Sequence, residues 1–290
     1  MLSLHALRGK WRRISLERPG EPPDLSSSVH WLQGPRFFVD LRQPIDPPDF
    51  TGIGCLRQLQ SRHLTWLAGQ QGFAGSLNLT ADVAWWRRGI DFQPQTAAPD
   101  RARLRIADQF LEERGTEVTY LEKWEREAGP VEPAYGLRLT DPASMIKGYL
   151  VRVGSRFMYA RARPKPLTQA SNLAAILDAT AGLTDKQDLF DFEISLGRID
   201  PEGEVWRIDR SSLPFRQGAI LASRLHPVGD QFSIKDVDCH GTEFIRRWVV
   251  SERDTRADER SQCSASDGAF IETEPAIGTV GGIDHVGGAP

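Results

Sequence analysis

The sequence predicts a mainly β protein in which two strand-rich antiparallel regions are joined by one helix. Three observations carry this. Apolar and aromatic residues alternate with polar ones in short runs, Pro/Gly turn signals separate those runs, and a single stretch, TQASNLAAILDATAG, holds a convincing helical stripe. The 290 residues suffice for one large β domain or two small ones, and 40% hydrophobic with 26% charged residues can bury a core.

Taken in order, residues 1–28 contain RPGEPPDLSSS, where prolines deny ladder hydrogen bonds and serines favour turns, so an irregular segment is expected up to Val29. RFFVDLRQP then reads as a strand, with Phe37, Val39 and Leu41 alternating with Arg36, Phe38, Asp40 and Arg42. CLRQLQSRHLTWLAG is expected to be a strand, although helical and strand periods compete in it. The NLTAD turn signal makes residues 72–94 a hairpin, and Gly154-Ser155 makes a second one between Tyr149/Val151/Val153 and Phe157/Tyr159/Arg161.

The helix is expected to be capped by Thr168 or Ser171, to bury Leu173, Ile176 and Leu177, and to end at Gly182. LFDFEISLGRIDPEGEVWRID, AILASRLHPVGDQFSIKDVD and GTEFIRRWVV follow as an antiparallel meander that turns at Pro201-Glu202-Gly203 and at Pro227 to Asp230. Residues 251–290 are polar, Gly-rich and aperiodic, which predicts a disordered tail. An internal likeness links the halves: Phe73, WWRRGIDFQP and TYLEKWER in the first, Phe192, VWRIDRSSLP and TEFIRRWVV in the second. Duplication and chance similarity between amphipathic strands both account for it.

Charge and motif content narrow the function classes. The net charge is -3 with 36 basic residues dispersed among 39 acidic ones, a pattern unsuited to nucleic acid. No stretch has the length and apolarity of a membrane helix, the start lacks the features of a secretory leader, and three scattered cysteines supply no disulfide framework, so a cytoplasmic location is expected. HExxH, paired CxxC, GxGxxG after a strand, GxxxxGK[ST] and GxSxG are all missing, so neither metal nor cofactor is expected.

RFFVDLRQP, GFAGSL, WWRRGIDFQP and TYLEKWER together resemble the calycin (lipocalin-like) superfamily, and more narrowly the twin-barrel family typified by a fungal protein that interacts with a casein-type kinase. The resemblance spans residues 29–250. It implies two lipocalin-like antiparallel β-barrels, or one barrel plus a second antiparallel meander, with one connecting helix. The first barrel would cover residues 29–166, the helix or linker 167–184, and a smaller barrel or meander 185–250. It carries over no catalytic residue.

A small closed barrel can hold one ligand among its inward side chains. In EVTYLEKWER one face carries Val118, Tyr120, Glu122 and Trp124, which sets a carboxylate in an aromatic row. Burial would raise the pKa of Glu122 and suit it to acid or base work, with Tyr120 and His63 as the other candidate catalytic groups; a buried ion pair, with Arg88 as one partner, is the competing reading. Trp86, Arg88, Trp124, Phe38 and Tyr159 are the candidate ligand-binding residues, with Arg88 able to grip a carboxylate or stack on a ring. The expected role is binding of a small organic ligand, acidic or aromatic, with a cofactor-independent lyase or isomerase reaction. The alternative is a non-catalytic ligand-binding or protein-interaction module.

Overall fold

The computed structural model describes residues 2–95, 98–223, 225 and 229–255. Eight strands close the first barrel: β1 (Gly9–Glu17), β2 (Ser27–Gln33), β3 (Phe37–Pro44), β4 (Gln71–Thr80), β5 (Val83–Asp91), β6 (Arg101–Ala107), β7 (Phe110–Gly115) and β8 (Leu121–Arg126). Each pairs antiparallel with its chain neighbour, and β1 completes the ring by pairing with β8 as well as β2.

The second set repeats the plan: β9 (Ala134–Thr140), β10 (Lys147–Val153), β11 (Arg156–Arg161), β12 (Glu193–Ile199), β13 (Val205–Ser211), β14 (Ile220–Ser223), β15 (Gln231–Val237) and β16 (Glu243–Asp254). Here β16 returns to pair with β9, and the barrel is nearly closed. The protein is therefore mainly β, with two eight-stranded antiparallel barrels and few helices.

Period-two alternation places each side chain. On β3, Phe38 faces the first barrel's interior with Trp11, Trp31, Phe73, Trp86 and Trp124, while Phe37, Val39 and Leu41 face outward into a core shared with Val151, Met158 and Ile194 of the second barrel. Phe37 meets Tyr149 edge to face at 5.5 Å across that junction. Arg163 adds polar contacts there by donating to the carbonyls of Asp91 and Phe92 at 3.2 and 2.8 Å.

The two barrels share a local device. The β4/β5 ladder shifts register at Gly75 and the β12/β13 ladder at Gly197. A Cβ at Gly75 would lie 1.9 Å from the Arg87 carbonyl oxygen, and one at Gly197 2.2 Å from that of Arg207, so only glycine allows either approach. Phe38 pairs with Gly75 and Phe157 with Gly197, which makes Arg42 and Arg161, each four residues on, equivalent interior arginines. Trp86 and Trp206 precede the two arginines at the bulge. Phe192 is not the counterpart of Phe73: it precedes β12 and packs between the barrels, whereas Ser195 holds the matching position.

Several expected boundaries change. Strand β1 lies inside the segment expected to be irregular, because Trp11 and Arg13 turn inward ahead of the proline-rich stretch. The stretch CLRQLQSRHLTWLAG is helical instead of extended: a 3-10 turn at Leu56–Gln58 leads to α2 (Ser61–Ala68), following the short α1 (Leu4–Leu7). Buried His63, Leu64, Leu67 and Ala68 form one helical face there.

The expected helix is α3 (Leu173–Ala179), capped by the Asn172 side chain; Gly182 stands at the start of α4 (Leu183–Asp188) and not at the end of α3. Both helices fall between β11 and β12, so they interrupt the second barrel and do not link two domains. The first barrel accordingly ends at Arg126 and the second begins at Ala134. Residues 227 and 228 of the expected turn and 256–290 of the expected tail lie outside the described residues, while 251–254, expected to be disordered, continue strand β16, where 252–254 pair with β9.

Candidate functional site

The first barrel holds a partly open cavity of about 240 Å³, lined by side chains of β1 to β5, β7 and β8, by Arg18 and Asp100, and by the segment leading into β8. Trp31, Phe38, Phe73, Trp86 and Trp124 supply aromatic walls. Asp40, Arg42, Arg88, Glu113, Tyr120 and Glu122 supply charge and hydrogen-bonding groups. Val118 sits at the mouth, 64% exposed.

Glu122 lies deep, 3% exposed. Its Oε1 accepts from Arg13 at 2.6 Å and from Arg42 at 3.2 Å, while its Oε2 is buried without a partner. Arg42 also donates through Nε to Asp40 at 2.8 Å. Burial opposes the charge on Arg42, but Asp40 and Glu122 outweigh it and hold the guanidinium protonated. Burial likewise raises the Asp40 carboxyl against the pull of Arg42.

Glu113 stands opposite Glu122 in the β7/β8 ladder. Tyr120 lies 2.9 Å from its Oε1, and the Trp124 indole N–H donates to its Oε2 at 3.1 Å. Burial first, then the charge of Glu122, pushes the Glu113 carboxyl well above the usual carboxylate range, so it is the neutral member of the pair. Tyr120 donates its phenolic hydrogen to Glu113 Oε1. Burial and the two carboxyl groups also raise Tyr120.

Arg88 reaches the cavity with its fork already occupied. Nε and Nη2 donate to Asp100 at 3.0 and 2.6 Å, Nη1 donates to Asp91 at 2.8 Å, and the guanidinium stacks 3.6 Å over the Phe73 ring. It is not the ion-pair partner of Glu122; Arg13 and Arg42 fill that role.

The structure thus brings Glu122, Tyr120, Trp86, Arg88, Trp124 and Phe38 to one cavity and leaves two candidates elsewhere. His63 accepts from the Gln60 backbone N–H through Nδ1 at 3.0 Å, lies 3.1 Å from the Asp49 carbonyl through Nε2, and packs 5.0 Å from Phe50. It closes a capping box at the start of α2 and is not a group of this site. Tyr159 lies in the second barrel against Trp248, because β11 belongs there. Glu113, Asp40, Arg42, Arg13 and Trp31 join the site beyond the residues that the sequence pattern points to. Asp40 and Arg42 were legible as the companions of Phe38 on one strand face; Glu113 had only the two-residue step from Leu111 to mark it.

Among the described residues no cluster of three or more His, Cys, Asp or Glu side chains could hold a metal ion, and no helix is long and apolar enough to cross a membrane. Comparison with known proteins yields little beyond architecture. No family model matches the chain, and no curated protein matches it. An uncharacterized protein from Saccharomyces cerevisiae, known from its crystal structure, is similar in fold at 12% identity and a TM-score of 0.51, over 84% of this chain and 98% of that one. At that identity the likeness is one of fold alone, and the chain takes its place among mainly β proteins built from antiparallel barrels.

Proposed function

We propose that the first barrel binds one small, flat organic molecule and moves a proton on it without a cofactor, as a lyase or isomerase does. The observation that carries this reading is the facing pair of buried carboxyl groups with unlike environments: Glu122 held by two arginines with Oε2 free, and Glu113 kept neutral beside Tyr120. Two carboxyl groups in such unlike surroundings are what acid and base assignments require. Glu122 Oε2 accepts a proton from the bound molecule, Tyr120 delivers one to another of its atoms, and Glu113 restores the Tyr120 proton. Return of the proton from Glu122 to Glu113, its cross-strand neighbour, resets the site.

The barrel order supports a place among the calycins and the twin-barrel family. The free thiols of Cys55 and Cys239 fit a reducing, cytoplasmic setting. A non-catalytic binding or interaction role has one observation in its favour: the second barrel also buries ion pairs, Arg216 with Glu193 at 3.2 Å and Arg246 with Asp236 at 2.6 Å, so such networks occur here as supports.

Mass spectrometry of metabolites retained by the native protein, followed by incubation of each with protein and analysis for conversion, tests the proposal. A retained aromatic metabolite that is converted supports catalysis. Retention without conversion leaves the binding role, and an empty barrel that no metabolite stabilises against heat overturns both.

A further inference from the structure

The hydrogen-bonding inventory of the cavity narrows what it can hold. Three arginines line it, and the two deep ones are already matched: Arg42 with Asp40 and Glu122, Arg88 with Asp91 and Asp100; Arg18 is exposed, with Glu21 and Asp24 only as near as 3.7 and 4.0 Å. A carboxylate ligand held in the depth of the cavity would have to displace a carboxyl group from Arg42 or Arg88 and would meet Asp40, Glu122 and Asp100 close by. Repulsion and desolvation both oppose it.

Two buried polar atoms on lining side chains lack partners: Glu122 Oε2, an acceptor, and Trp31 Nε1, a donor. The side chains belong to residues 3% and 2% exposed, where an unmatched polar group costs free energy until something pairs with it. The surrounding walls are indole and phenyl faces, and about 240 Å³ falls below the roughly 300–1,000 Å³ of drug-sized pockets, which restricts the occupant to one or two rings.

We infer that the occupant is an uncharged hydroxyaromatic or enolic molecule, whose hydroxyl group donates to Glu122 Oε2 and whose oxygen chemistry also satisfies the Trp31 N–H, and that acidic molecules are excluded. This rests on the cavity being a ligand site and sharpens the class of ligand. It also replaces the grip on an acidic ligand expected of Arg88 by ring stacking alone.

Isothermal titration with 2-naphthol, 2-methoxynaphthalene, naphthalene and 2-naphthoate tests it. The expected result is binding of 2-naphthol at least about tenfold tighter than 2-methoxynaphthalene, since a hydrogen bond to a charged acceptor is gained in one and absent in the other. 2-Naphthoate binds more weakly than 2-naphthol. Trp31→Phe, which keeps a ring and deletes the donor, lowers affinity for both neutral oxygen-bearing probes relative to naphthalene. Glu122→Gln narrows the gap between naphthol and its methyl ether, and the Trp31 variant keeps the test decisive should the Glu122 variant fail to fold. Equal binding of naphthol and its ether, or tightest binding of naphthoate, overturns the inference while leaving the cavity a ligand site. Absence of binding by all four probes overturns both.

Discussion

Glu113 and Glu122 stand directly opposite each other on β7 and β8, both buried, so that two carboxyl groups share one face of a ladder inside a barrel. Like charges in that arrangement repel. The fold resolves the conflict through unlike partners: Arg13 and Arg42 for Glu122, Tyr120 and Trp124 for Glu113. One carboxyl is thereby matched to cations, while burial and the facing Glu122 push the other toward its protonated form.

Glu113→Gln copies the uncharged side chain and removes the titrating proton, and its carbonyl oxygen can still accept from Tyr120. The native carboxyl is raised above its ordinary value of 4.5, so the folded chain keeps a proton that the unfolded chain releases, and stability falls as pH rises through that window. The variant should be close to wild type in stability near pH 4 and more stable at pH 8. Urea denaturation at both values checks this; a gain of about 1 kcal/mol would also read as roughly 2–4 °C in Tm.

Tyr120→Phe separates chemistry from structure better than Glu122→Gln. Losing the Glu122 charge strands Arg13 beside an uncharged amide, a change of the kind that costs about 3–5 kcal/mol, so stability and activity would fall together. Removing one phenolic hydroxyl costs about 1 kcal/mol. Turnover of the retained metabolite by the Tyr120 variant should drop by about 10²–10⁴ with its affinity little changed, as single-turnover and equilibrium-binding assays would show.

His30 provides an acid-sensitive element away from the cavity. Burial, reinforced by the charges of Lys10 and Arg210, pushes its imidazole from 6.5 down to about 3. A depressed histidine contributes stability that is fully present above pH 6.5 and is lost as pH falls toward 3. His30→Leu should therefore lose less stability than wild type between pH 7 and pH 5, measured by denaturant midpoints.

Gly75→Ala and Gly197→Ala should each destabilise by more than about 2 kcal/mol, because the added methyl group meets a backbone carbonyl and not a movable side chain. Gly54→Ala, whose new Cβ would lie 3.5 Å from the Gln58 side chain, serves as the mild comparison. Thermal melts of the three variants check the ranking.

The strands were readable where one face was aromatic and the next residue polar, as in the hairpins around Asp82 and Gly154 and in the row Glu122 to Trp124. Alternation failed as a guide where the interior itself is charged. Arg13, Asp40, Arg42 and Glu113 carry the residue types of a solvated face, and only the closure of the barrel turns that face inward. Strand β1 was obscured because the prolines that follow it suggest an irregular start, although Trp11 and Arg13 already step by two. The split between barrels could not be read from local pattern, since the pairing of β9 with β16 joins residues more than a hundred positions apart.

The ring of the first barrel is completed by its earliest strand, which is hydrogen-bonded along both flanks. A version of the protein shortened past Glu17 would therefore expose two raw borders, on β2 and β8, each a template for sticking to another chain. The same cut would remove Arg13 and leave Glu122 leaning on Arg42 alone. Expression trials that trim this end for convenience would be sampling a different molecule, prone to clumping and stripped of half the support for its central carboxylate.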